Sequence, residues 1–313
     1  MAQPSETFDT YDSIGEREDL SDVIYNISPT DTPFLSSAAK TQATAVLHEW
    51  QTDSLAAAVT NNAVIEGDEA TADAVTATTR LSNSSQILDK VVTITGTQEA
   101  VDKAGRASEI AYQIAKKAKE LKRDLESSLC SNNAEVTGSA SAARQLGGLG
   151  SWVATNDVFG GSGSSGGLGN TARTNGTQRA FTESQLKSVI KSVWNAGGNP
   201  QIIMVGPFNK QKLSGFTGNS TRFDAGADAT LYTSVDVYAS DFGQTQVIPN
   251  RFSRDRDAWV LDMDYWGVAF LRDFSMHELA KTGDTEKRQL LVECTLESRN
   301  EAASGLIADL TTS

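Results

Sequence analysis

The chain is poor in the residues that most often carry chemistry. It has 313 residues but only two histidines and two cysteines. Cys130 and Cys294 are too few for a disulfide framework, and each reads as a buried free thiol suited to a reducing compartment. His48 and His277 sit in no motif, so neither a Ser–His–Asp arrangement nor a histidine-led metal site can be assembled around them. The paired C-x-x-C and H-x-x-x-H spacings of zinc sites are missing too. No catalytic residue, metal ligand or cofactor is assigned, and the expectation is a protein that is not an enzyme.

Long hydrophobic runs are equally scarce. No stretch approaches the ~18 apolar residues of a membrane span. The opening MAQPSETFDTYDSIGERED has neither the basic nor the apolar region of a signal peptide. A soluble protein with no membrane partner, made in the cytoplasm, is expected. Basic charge is in deficit, with 27 Lys and Arg against 40 Asp and Glu, a net charge of -13 and a pI near 4.7. That balance excludes a protein coated by the basic stripe that grips nucleic-acid backbones. Apolar residues make up 39% and aromatics 7% of the chain, below the ~45–50% apolar share of average globular domains. Much of the chain must therefore be extended, solvated or buried against another subunit.

What is present falls into segments. Leu20, Val23, Ile24 and Ile27 have helical spacing and predict a short amphipathic turn, which Pro29 and Pro33 break in favour of extended chain. The next stretch, ATAVLHEWQTD, mixes polar and apolar residues as a strand does. Phe34, Leu35, Leu47 and Trp50 need a surface to pack on. Residues 54–97 read as a long β-hairpin whose return strand is QILDKVVTITGT, with its turn at either IEGDEATAD or Asn83-Ser84-Ser85. So long a hairpin with so few large apolar residues is marginal alone and is expected to lie against something else. Ser108 caps a helix over 108–131 with the stripe Ile110, Ile114, Ala118, Leu121, Leu125 and Leu129, while Lys116, Lys119, Lys122, Arg123 and Glu126 lie largely on other faces. At ~1.5 Å per residue such a helix is long enough to act as a spine.

Residues 132–180 are rich in glycine and serine and predict a flexible surface loop. Thr182 and Gln185 then form a capping box for a helix whose apolar face is Leu186, Val189, Ile190, Val193 and Trp194, ended by Gly197-Gly198. QIIMVG predicts a buried strand, PFNKQKLSGF a helix with proline in its first turn, and SVDVYAS and TQVIPN two further strands. From residue 257 to 298 the chain returns to β structure, with Leu290, Val292, Cys294 and Leu296 on one side of a strand.

Two motif matches are discounted. Gly161, Gly163 and Gly166 satisfy G-x-G-x-x-G, and the run from Gly163 to Gly167 satisfies G-x-S-x-G. Both motifs require a strand before and a helix directly after, and LGNTARTNGT is no helix. Asp255, Asp257, Asp262 and Asp264 cluster beside Arg251, Arg254 and Arg256, and read as a solvated strand face rather than a cation site.

The run REDLSDVIYNISPTDTPFLSSAAKTQATAVLHEWQTDSLAAA, followed by AVIEGDEA, resembles the opening of one family of tailed-bacteriophage major capsid proteins. SSQILDKVVTITGTQEAV and the long helix after it match the same family in order and spacing. The resemblance implies an α+β class and the Hong Kong 97-like phage capsid fold. Its parts would be an N-terminal arm at 1–53, an E-loop hairpin at 54–97, a peripheral domain with the long spine helix at 98–146 and 251–313, and an axial α/β domain at 147–250. It further implies a homo-oligomer of pentamers and hexamers in an icosahedral shell. That shell would be assembled in the host cytoplasm, would become the virion capsid, and would enclose packaged double-stranded DNA without sequence-specific binding. The implied partners are a portal protein and separate scaffold or decoration proteins. Ile27, Pro29, Pro33, Phe34, Leu47 and Trp50 are the arm residues expected to contact another subunit, and the arm is expected to be dispensable for folding of the core. An encapsulin-type nanocompartment shell and an α/β hydrolase-like enzyme are the alternatives.

Overall fold

Two sheets, with one long helix against the first, organise the chain. The computed structural model describes residues 28–70, 72–103, 105–216 and 235–313. The amphipathic turn expected around Leu20 to Ile27 lies outside the described residues.

The arm enters through a short helix, α1 (Pro33–Ser37). Pro33 does not keep this stretch extended as expected. It occupies the first helical turn, where a missing N–H costs nothing and a fixed φ suits the helix. β1 (Ala39–Gln42), β2 (Leu47–Thr52), β3 (Thr79–Ser84) and β4 (Gln86–Thr95) follow. The hairpin forms differently from the expected one. Its outgoing strand is β2, which pairs antiparallel with β3 and sets Trp50 opposite Leu81. The described residues of the 53–78 connection between them hold no strand, and the IEGDEATAD candidate falls within this connection. Asn83-Ser84-Ser85 is the junction at which β3 passes into β4. β4 then leaves to join a sheet, because Leu88 and Val92 alternate onto one face and need a layer to cover them.

α2 (Gly96–Ala100) leads to the spine helix α3 (Glu109–Leu129), capped by the Ser108 hydroxyl as the sequence predicts. α3 lies across β4, so its C-terminal half buries Leu121, Leu125 and Leu129. α4 (Leu149–Trp152) and β5 (Asp157–Val158) follow. Then come α5 (Glu183–Asn195), β6 (Ile202–Val205) and α6 (Pro207–Ser214). The remaining strands are β7 (Val237–Ser240), β8 (Gly243–Pro249), β9 (Ala258–Leu261), β10 (Trp266–Leu279), β11 (Thr285–Ser298) and β12 (Gly305–Ile307).

The first sheet has the order β1-β10-β11-β4 and the second β5-β12-β9-β6-β8-β7. β1 runs parallel to β10, and β4 antiparallel to β11, so the N-terminal segments frame a hairpin from the far end of the chain. One core joins α3, Phe34, Trp152, Trp266 and Val292; the other joins α5 to Ile203, Val260, Ile307 and Leu310. β11 buries Val292, Cys294 and Leu296 as expected, and also Glu293, Thr295 and Glu297 on its other face. On that face Ser85 and Arg144 supply polar partners for Glu293, and Thr41 and Arg299 for Glu297.

Three further expectations are corrected. The glycine-rich region is packed chain: Trp152 is fully buried, and a Cβ on Gly160 would lie 1.9 Å from the Thr177 carbonyl oxygen. Its glycines permit close approach of backbones rather than mobility. Trp194 lies at the rim of the α5 stripe, is 52% exposed and packs on Phe242. Asp257 and Asp262 are buried: Asp257 accepts from the buried Arg173 at 2.7 Å, and Asp262 accepts from the backbone N–H of Asn199 at 2.9 Å.

Candidate assembly surface

The arm is fastened to the spine helix by a buried carboxylate. Glu126 Oε1 accepts from the Phe34 N–H and Oε2 from the Leu35 N–H, both at 2.8 Å, while the Asn250 side-chain amide donates to Oε1 at 2.7 Å. The two backbone groups belong to the first turn of α1, whose N–H groups have no helical partner. Glu126 is fully buried, and burial pushes its carboxyl above the ordinary glutamate range against the pull of these three donors. The Phe34 ring meets Trp266 edge-on at 6.3 Å.

The ribbon β2–β3 is fastened to the first sheet at its base. Trp50 packs on Trp152 with ring centroids 5.3 Å apart, and its indole N–H donates to the Ser298 carbonyl at 2.7 Å. Asn83 is fully buried; its amide donates to the carbonyls of Leu296 and Gly147 and accepts from the Gly147 N–H. His48 Nε2 stands 3.6 Å from Glu297, an ion-pair distance rather than a hydrogen bond. His48, Arg299 and Thr41 together hold the Glu297 carboxyl down at about 2 despite its burial.

Beyond this base the ribbon opens into a loop with no cover. Every described residue from Asp53 to Thr78 is exposed. Leu55 is 99%, Val64 84%, Ile65 79% and Val75 97% exposed. Apolar side chains so fully in water, on a segment this long, mark a surface meant for a partner.

The arm residues singled out from sequence separate into two groups. Phe34 is buried against Trp266 of the first sheet, and the half-buried Trp50 packs on Trp152 of α4, so each has a ring partner within its own chain. Leu47 is 40% exposed, and Pro29 and Pro33 are half-buried. Ile27 lies outside the described residues. Sequence reasoning missed Glu126 and Asn83. Glu126 carried a signal, since a carboxylate near a helix C-terminus opposes the helix dipole and needs a compensating reason. Asn83 had none beyond its place in a candidate turn.

The discounted motifs find no supporting geometry. β5 ends at Val158 and no helix follows through residue 179, so the glycine run lacks the strand–turn–helix frame of a phosphate cradle. His277 is exposed on β10 with Nε2 3.1 Å from Ser275 Oγ, and takes no part in the His48–Glu297 pair. Among the described residues, no group of three or more His, Cys, Asp or Glu could hold a metal ion, and no helix is long and apolar enough to cross a membrane.

Comparison with known proteins places this architecture. The major capsid protein of Escherichia phage Phieco32 is 30% identical over 345 residues, covering 98% of this chain and 97% of that protein. Among solved structures, the Cyanophage A-1(L) capsid asymmetric unit superposes with a TM-score of 0.65 at 13% identity, over 97% of this chain and 99% of that one. The SrpI encapsulin of Synechococcus elongatus superposes less well, with a TM-score of 0.55 at 11% identity over 96% and 94% of the two chains. The family model described as SU10 major capsid protein matches residues 3–311. With an arm, an uncovered loop, a spine helix and two sheets in the phage-capsid arrangement, the chain belongs to the SU10 major capsid protein family and is a phage major capsid protein of Hong Kong 97-like fold.

Proposed function

We propose that copies of this chain assemble through pentamers and hexamers into an icosahedral shell around packaged double-stranded DNA, in the host cytoplasm, with no enzymatic role. The observation that carries the reading is the loop between β2 and β3, which is uncovered along its described length and exposes Leu55, Val59, Val64, Ile65 and Val75. A rigid ribbon holding such a loop clear of its own core suits a contact with the next subunit. Repeated head to tail, that contact closes rings. The net charge of -13 suits an enclosure that does not adhere to DNA.

In this reading residues 1–53 are the arm, 54–97 the E-loop region, 98–146 and 251–313 the peripheral domain, and 147–250 the axial domain. Leu47, Pro29, Pro33 and Ile27 face the neighbour, while Phe34 and Trp50 hold the arm and ribbon at the angle that presents them. A portal protein and separate scaffold or decoration proteins complete the particle. An encapsulin-type compartment is the second reading, favoured by the shared fold. Replacing residues 56–76 by a Gly/Ser linker tests the proposal. The expected result is a folded protein that no longer forms shells; shells of normal size would overturn the role of the loop. Absorbance ratios of purified particles separate the two readings, since a phage shell carries nucleic acid and a compartment carries protein.

A further inference from the structure

The chain holds one Asn-Gly pair, Asn175-Gly176, in the glycine-rich region. No helix or strand fixes it, and Asn175 is exposed. It sits against the ion pairs that join this region to the turn before β9 and to Asp309. Among the described residues, three guanidinium groups there meet two carboxylates. Arg173 spans Asp257 at 2.7 Å and Asp309 at 3.3 Å, Arg254 reaches Asp257 at 3.0 Å, and Arg256 reaches Asp309 at 2.7 Å. The side chains of Arg173, Asp257 and Asp309 are wholly buried, so the surplus positive charge falls to the half-buried Arg254 and Arg256. A fourth guanidinium deepens the surplus: Nε and Nη2 of Arg179 are buried without a hydrogen-bond partner. Where a third carboxylate would balance the set, Arg254 finds a neutral group instead. Its Nη2 donates to the Asn175 carboxamide oxygen at 2.7 Å.

The same contacts prepare a reaction. The backbone nitrogen after an asparagine can attack its Cγ, and it does so most freely when the next residue is glycine, which has no side chain to crowd the five-membered ring. Attack needs the carbonyl polarised and the proton on the nitrogen removed. Arg254 supplies the first, as a charged donor on the oxygen that becomes negative in the tetrahedral intermediate. Asp309 stands at the second. Burial alone would raise its carboxyl, yet the N–H groups of Gly160 and Gly176, together with Arg173, hold it below the usual aspartate value. A Cβ on Gly176 would lie 2.8 Å from Asp309 Oδ2 and 2.6 Å from the Gly160 carbonyl oxygen, so only glycine fits there. The Gly176 carbonyl accepts from Arg256 at 2.8 Å, which holds the peptide in place.

We propose that Asn175 is a self-modification site, where the carboxamide is converted to a carboxylate that pairs with Arg254. The Gly176 nitrogen bonds to Asn175 Cγ, its proton passes to Asp309 and on to the leaving nitrogen, and the Cγ–Nδ2 bond breaks to release ammonia. Water then opens the cyclic imide at Cγ and restores the Gly176 N–H. The net change is carboxamide plus water to carboxylate plus ammonium, with no oxidant and no cofactor. Opening at the main-chain carbonyl would lengthen the backbone by a carbon, which the close packing of Gly176 on Gly160 and Asp309 disfavours. Each copy reacts once, so the chain turns over no substrate and gains an ion pair with age. The inference does not depend on the shell reading.

Two measurements test it. The first incubates the full-length, unassembled chain at neutral pH, folded or in urea, and follows the amide-to-acid mass shift in the tryptic fragment from Thr174 to Arg179. Conversion at Asn175 is expected to be at least as fast in the folded chain as in urea, where Arg254 and Asp309 are dispersed. It is expected to slow about tenfold in R254Q, which removes one charge-assisted hydrogen bond from the forming oxyanion. Conversion that is faster in urea, or unchanged in R254Q, overturns the proposal. The urea comparison needs no variant, so it decides even where R254Q fails to fold. The second compares thermal melts of N175D and freshly prepared, unconverted wild type. A melting temperature higher by about 1–2 °C is expected for a half-exposed ion pair. An equal or lower one overturns the pairing with Arg254.

Discussion

At the scale of single residues the account turns on buried polar groups that tie the exposed parts to the core. Glu126→Ala would leave two buried backbone N–H groups without their partner and the Asn250 amide with only the sulfurs of Cys130 and Met204. At about 1–3 kcal/mol for each unpaired group, a loss of ~3 kcal/mol or more is expected in denaturant unfolding. Glu297 sets a pH dependence. Its folded-state pKa of about 2 lies below the ordinary glutamate value, so the stability it contributes is complete above about pH 4.3 and falls away as the pH drops toward 2. Glu297→Gln should flatten stability against pH in that window; an unchanged slope would mean that the His48–Glu297–Arg299 cluster contributes nothing to folding. Trp50→Ala should lower the stability of the unassembled chain by ~2 kcal/mol or more, because its ring and indole N–H are both satisfied within the chain.

At the scale of elements, what the sequence revealed followed periodicity and capping. The spine helix, the capping box of α5 and the long strands β10 and β11 could be read because each repeats one pattern over many residues. The pairing of β2 with β3 could not. A strand's own pattern names its buried face but not its partner, and the β4 pattern suits a sheet edge as well as a hairpin arm. The glycine-rich region was misjudged for a related reason: composition records the lack of side chains, while close backbone packing is a three-dimensional property. Gly160→Ala should accordingly cost ~1–3 kcal/mol, by forcing a methyl against the Thr177 carbonyl, where a flexible loop would tolerate it. The arm is likewise more integral than its sequence suggested. α1 and β1 belong to the core and the first sheet, so deleting residues 1–53 should unfold the protein and not merely block assembly.

At the scale of the whole molecule, stability and assembly reside in different residues. The two cores and the ion pairs around Arg173 hold the fold. The loop between β2 and β3 contributes little to it, since its apolar residues are already in water. Changing Val64 and Ile65 to serine should therefore shift unfolding by no more than ~0.5 kcal/mol while sharply reducing shell yield. Family membership was legible because the arm motif is long and specific; the division of labour between Phe34 and Leu47 was not, because both are apolar residues of one segment and only the fold shows which of them faces inward.

The most direct test of the central claim is negative-stain electron microscopy of the purified protein, with light scattering on the same sample. Closed polyhedral shells, or rings of five and six subunits, are the predicted result. A uniform population of monomers or dimers under every assembly condition, with or without a coexpressed scaffold, would contradict it.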